Sequence, residues 1–242
     1  MIWSMSMSTR WAEVDCDFGV WLLLPREIPP DLWPDDLSWA MDQAQAVWDD
    51  SGLRHRRRDV KNLVTLLLNY RSFMAGRAWS HMAYLHMPDP RMEPLAASVS
   101  VWRAQGERDD ALRFYTGADL PGTDGPPEVA EFPTEHLGAG LRAMSRPATL
   151  RPSADAEEAS ATVLSYAWRV EDDTDVSLFL LSPDAARLRE AVPDVDAFAR
   201  GIRVVPDPEG EGAADEEEDE VLIEAPSYLH VLDRMEELTG EG

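Results

Sequence analysis

Cysteine occurs once, at Cys16, so the chain can close no intramolecular disulfide and can build no paired-cysteine zinc or redox centre. Asp15 and Asp17 flank that thiol, and two carboxylates oppose a thiolate, which argues for an incidental or buried cysteine rather than a nucleophile. Lysine is as scarce: Lys61 is the only one among 22 basic residues, the rest being arginine. No stretch approaches the ~20 apolar residues needed to span a bilayer. The first eight residues have neither the basic start nor the apolar centre of a secretory signal, so the cytoplasm is the expected compartment. The nucleophile elbow GxSxG, the P-loop and the GxGxxG turn are all missing, which removes the usual sources of an activated serine or a phosphate cradle.

Acid is what the chain has in excess. Its net charge is −24, with 44% hydrophobic and 28% charged residues, a balance that supports a folded body. Residues 207–242 hold 14 acidic side chains against Arg234 alone, so −13 of the charge lies there and −11 in all that precedes. A field of that sign repels phosphate backbones and anionic headgroups, which disfavours nucleic acid and membrane and favours basic protein surfaces. The Arg54–Arg58 run is the one strong basic patch, and Glu216–Glu220 is its natural counterpart. Any such pairing should loosen as salt rises.

Periodicity predicts an α+β fold: a mainly antiparallel sheet packed with helices, an acidic C-terminal tail and a short terminal helix. Thr9–Leu24 reads as an extended pair around the turn Asp17-Phe18-Gly19, with Val20–Leu24 a fully apolar and therefore central strand. Leu37, Met41, Ala44 and Trp48 form the stripe of a first helix capped by Asp35 or Asp36. Val60, Leu63, Val64, Leu67, Tyr70 and Met74 line a second, broadened by Leu66, Leu68 and Phe73. Strands are expected at Trp79–Met87 and Leu95–Ala104, a short helix at Glu107–Thr116, and a loop over Gly117–Pro133. Thr162–Val170 and Asp175–Leu181 flank an acidic turn. Helices at Asp184–Ala191 and Val195–Arg200 precede a last strand, Ile202–Val205.

The domain expected from this runs over residues 9–206, as one core or as lobes 9–117 and 132–206. An acidic linker, 207–223, follows, and then an amphipathic docking helix, 224–240.

The segment Phe132-Pro133-Thr134-Glu135-His136-Leu137-Gly138, the hairpin after it and the close Asp194–Val204 resemble the end of Mog1/PsbP-like α+β domains. The resemblance covers residues 132–206, about a third of the chain. It implies a helix before a last strand and, because members of that fold are mostly binding or assembly accessories, a role in interaction. It carries over no functional residue.

Candidate sites follow from chemistry. Tyr228, Leu232 and Met235 put an apolar stripe on the terminal segment, which suits capture by a protein surface. Trp33, set among prolines, is the tryptophan expected to be exposed as an interface anchor, whereas Trp21, Trp39 and Trp48 belong in a core. Glu135 and His136 form an acid/base dipeptide in a loop and mark a possible ligand site for a small enzyme. His81 and His86, five apart on one strand, would face opposite ways, so no metal site is expected, nor any cofactor. The function these features favour is a protein-interaction or accessory module. The alternatives are an enzyme acting through Glu135 and His136, or an acidic inhibitor of a basic protein, which would need its acids gathered on a folded face.

Overall fold

The computed structural model describes residues 3–5, 10–75, 82–119, 125–146, 161–206 and 221–223. The described helices are α1 (Asp36–Asp50), α2 (Arg57–Ala75), α3 (Arg108–Thr116) and α4 (Ala185–Arg200). The strands are β1 (Trp3–Met5), β2 (Arg10–Val14), β3 (Trp21–Leu24), β4 (Met82–His86), β5 (Leu95–Arg103), β6 (Glu128–Glu131), β7 (Gly140–Ser145), β8 (Thr162–Val170), β9 (Thr174–Ser182), β10 (Ile202–Pro206) and β11 (Val221–Ile223). The fold is α+β, with a seven-stranded sheet in the order β3-β4-β5-β9-β8-β7-β6. Two short pairs, β10 with β2 and β11 with β1, are also antiparallel. None of the described helices is long and apolar enough to cross a membrane.

The chain divides into two units, residues 17–98 and residues 1–16 with 99–242. The glycine- and proline-rich stretch from Gly117 to Pro133 lies inside the second of these, because loop composition reports missing regular structure and not missing contacts.

In the unit 17–98, α1 and α2 pack with β3 and β4 around Trp39, Trp48, Leu67 and Leu85. Asp35 starts α1, its carboxylate accepting the Ser38 N–H at 2.7 Å. The buried face of α1 is Trp39, Ala40, Ala44 and Trp48, and Leu37 and Met41 stay exposed, contrary to the predicted stripe. Ala40-Ala44-Trp48 has the same four-residue spacing, and three small or flat residues let α1 approach the core more closely than Leu37 and Met41 would. On α2 the expected face is buried at Leu63, Val64, Leu67 and Met74, with Val60, Leu66, Leu68, Tyr70 and Phe73 packed beside it.

The Asp17-Phe18-Gly19 turn is present, its Asp17 carbonyl accepting from Val20 N and Trp21 N at 3.1 and 3.0 Å. It does not pair the strands around it, for β2 pairs β10 and β3 pairs β4. Nor is β3 central: it is the first strand of its sheet, and Leu23 is exposed. A run of leucines is compatible with either place, because Leu22 packs on the cluster while Leu23 faces out.

In the other unit, β8 and β9 pair from Thr162↔Ser182 to Val170↔Thr174 and are buried almost throughout. Neighbouring residues of β8 point to opposite faces, so Ser165, whose hydroxyl donates to Thr116 O at 2.8 Å, marks the α3 side. Tyr166, bonded to Asp196 of α4, marks the other. β6 and β7 were not foreseen from the sequence: Gly140 and the polar Glu128 and Glu131 hide their pairing.

Helix α4 is continuous through Pro193, where two helices were predicted. Proline inside a helix costs about 3 kcal/mol. Leu188, Ala191, Val195, Phe198 and Ala199 bury one face on both sides of it, and that burial, at roughly 1.5–3 kcal/mol for each large side chain, outweighs the break.

Candidate functional site

Two surfaces and one partly buried polar cluster carry the chemistry of the described residues. The first surface belongs to α1. Its outer side has Leu37 and Met41 one turn apart, 51% and 55% exposed, with Leu32 at 63% just before the helix. Asp35 caps the helix, Asp36, Asp42, Asp49 and Asp50 lie along it, and it has no basic residue. Arg71 of α2 reaches back to Asp36 and to the carbonyls of Pro25 and Arg26, which ties the proline-rich approach to the helix start. Trp33 is half-buried rather than exposed. It packs on the core cluster and donates its indole N–H to Asp42 at 3.2 Å, so the prolines around it position the ring instead of freeing it.

The second surface is a cleft of about 450 Å³ between α3 and the β6–β7 hairpin, lined by Arg108, Leu112 and Arg113 on one side and Val129, Glu131 and Leu141 on the other. Helix α3 packs on β7, β8 and β9. Arg108 donates to Ala139 O at 2.7 Å and pairs with Asp109 at 3.0 Å, and Arg113 pairs with Asp119 at 3.2 Å.

The partly buried cluster fixes α4 to the sheet. Asp196 accepts from the Tyr166 hydroxyl at 2.6 Å and from Arg142 at 2.9 Å, with Arg142 and Tyr166 directly opposite each other on β7 and β8. Trp168 lies against Gly140, where an added Cβ would stand 2.3 Å from the indole, and donates to Phe132 O at 3.1 Å. The Arg200 guanidinium sits 5.0 Å above the Phe132 ring. On the α3 side, Arg169 and the fully buried Asp175 form a second pair across β8 and β9.

Burial pushes the Tyr166 phenol far above its usual range, and the bond to Asp196 adds to the shift. Tyr115 is raised likewise by burial and by the Asp175 charge. Both phenols therefore keep their protons in the fold longer than in the unfolded chain. Their contribution is fully present below pH ~10, the free phenol's pKa, and is lost as pH rises past it, by up to ~1.4 kcal/mol per pH unit for each ring. Alkaline urea titrations should show stability falling as pH rises past that point, with Tyr166→Phe giving a shallower slope. An unchanged slope in the variant contradicts the assignment.

The residues expected from sequence are not brought together. Glu135 and His136 stand exposed at the tip of the β6–β7 hairpin, closed by the Thr134–Gly138 bridge at 2.9 and 3.1 Å, and neither lines the cleft. His86 is buried 4.8 Å from the Trp21 ring, while His81 lies outside the described residues. Arg54, Arg56, Arg57 and Arg58 are exposed around the start of α2. Tyr228, Leu232, Met235 and Glu216–Glu220 lie outside the described residues. The cleft was missed because its walls come from segments about 20–30 residues apart, and only the exposed position of Val129 in a short polar strand signals it.

No protein-family model matches the chain, and no curated protein matches it.

Proposed function

We propose that this chain is a cytoplasmic, non-catalytic protein-interaction or accessory module, and that it engages a protein partner rather than nucleic acid or membrane. The observation that carries the reading is Leu32 just before α1 and Leu37 and Met41 on it, left to solvent in a segment whose charges are all aspartate. Apolar anchors among charged groups are how protein interfaces are built, and acids alone select a partner whose apolar ridge is flanked by basic groups. Trp33, held by Asp42 at the border of that patch, supplies a rigid aromatic edge. The resemblance of residues 132–206 to Mog1/PsbP-like domains supports the same role. Tyr228, Leu232 and Met235 are a second element for the same partner.

The acids gathered on α1 also favour a narrower version, in which the module blocks a basic protein by covering its cationic surface.

The double substitution Leu37→Asp/Met41→Asp tests both. The side chains are exposed, so stability should stay within about 0.5 kcal/mol of the parent. The partner recovered from the native host with the parent chain should be lost, while Ala46→Asp keeps it. Removal of residues 224–242 should weaken recovery only in part. Undiminished recovery with the double variant contradicts the proposal.

A further inference from the structure

Strand β6 ends its sheet, with β7 on one side and no described strand on the other. Its backbone orientation is set by the hairpin: Phe132 N–H donates to Gly140 O at 2.8 Å, and Thr134 and Gly138 exchange both bonds. Antiparallel ladders alternate with period two. Glu128 and Ala130 therefore turn their N–H and C=O toward β7, opposite Met144 and Arg142, whereas Val129 and Glu131 turn theirs outward. All four residues of the strand are exposed, and the side chains of Val129 and Glu131 border the cleft under α3. A strand edge left without a partner among the described residues, beside a helix-walled cleft, is the geometry in which an added strand gains backbone bonds from the edge and specificity from the cleft.

Charge decides what can add. A second copy pairing edge to edge must match outward-turned residues, Val129 with Val129 or Glu131, or Glu131 with Glu131, and none of these registers puts a cation opposite Glu128 or Glu131. The arginines of the cleft are already engaged, Arg108 with Asp109 and Arg113 with Asp119. Glu128 has only a long contact with Arg189, at 3.5 Å, and Glu131 has no cationic partner among the described residues.

We propose that the β6 edge accepts an extended basic segment of another protein as an additional antiparallel strand. Read from its N-terminus, the segment places a basic residue opposite Glu131, any residue opposite Ala130, an apolar residue opposite Val129 and a basic residue opposite Glu128. The apolar side chain enters the cleft beside Leu112 and Leu141. The basic pair meets the two carboxylates that a second copy cannot satisfy. Binding at this edge does not require Leu37 or Met41.

The test is fluorescence anisotropy of the full chain with a labelled peptide whose centre is arginine, threonine, valine, lysine, at physiological salt. Saturable binding is expected, with a scrambled peptide at least tenfold weaker. Val129→Pro removes an outward N–H and leaves the β6–β7 ladder intact, so it should weaken binding at least tenfold. Glu128→Lys/Glu131→Lys should reverse the preference, toward a peptide with glutamate at both basic positions. Should Val129→Pro lower the unfolding midpoint, the charge reversal carries the test alone. Equal binding of the scrambled peptide, no reversal, or a dimer of the chain that Val129→Pro dissolves would each overturn the proposal.

Discussion

Asp175→Ala is expected to lower stability by about 3–5 kcal/mol, because it leaves the Arg169 charge buried without its counter-ion. The side chains of Arg169 and Asp175 are 6% and 1% exposed, and Nε and Oδ1 stand 2.7 Å apart. Arg169 also donates to Gln105 O at 2.8 Å and Gly106 O at 2.7 Å, so one guanidinium ties the β8–β9 pair to the turn that starts α3. The pair need not be stabilising as a whole, since taking two ions out of water offsets much of their attraction. What is costly is half of it. Arg169→Met/Asp175→Leu should therefore recover much of the loss, short of the two backbone carbonyls left without a donor. Urea unfolding of the three chains checks this; Asp175→Ala within about 1 kcal/mol of the parent contradicts it.

Gly201→Ala is expected to cost about 3 kcal/mol or more, as an overpacking change against backbone rather than against a yielding side chain. An ideal Cβ at Gly201 would lie 1.9 Å from the Asp15 carbonyl oxygen, and Asp15 N–H donates to Gly201 O at 3.0 Å. The glycine is needed for that close approach and not for its dihedrals, which are ordinary at φ −81°. The clash would push β2 away from β10, starting where Val14 faces Ile202. Thermal unfolding reads the effect, and a variant as stable as the parent would show that the two segments can separate freely.

Legibility in the sequence followed the physics of each segment. Helices α1, α2 and α3 and the β8–β9 hairpin were readable because a cap, a period or a turn fixes each locally. The buried side of α1 was readable only in part, since Leu37 and Ala40 satisfy the same spacing and closeness of packing, which is a tertiary matter, chose Ala40. Pro193 was read as a helix boundary; it is an interior residue because burial on both flanks holds the helix together. The apolar Trp21–Leu24 run named a strand but not its place in the sheet. Trp33, expected to be exposed as an interface anchor, is half-buried, for nothing in sequence links it to Asp42, nine residues on. The β6 edge was illegible because its significance comes from what does not pair with it.

The claim that the α1 face receives a protein partner is tested most directly by photo-crosslinking in the native host, with a photoreactive residue at position 41 and, separately, at position 46. Position 41 should give a discrete adduct heavier than the 27.1 kDa chain, absent from position 46 and lost on Leu37→Asp. Equal adducts from both positions, or none from position 41, would contradict it.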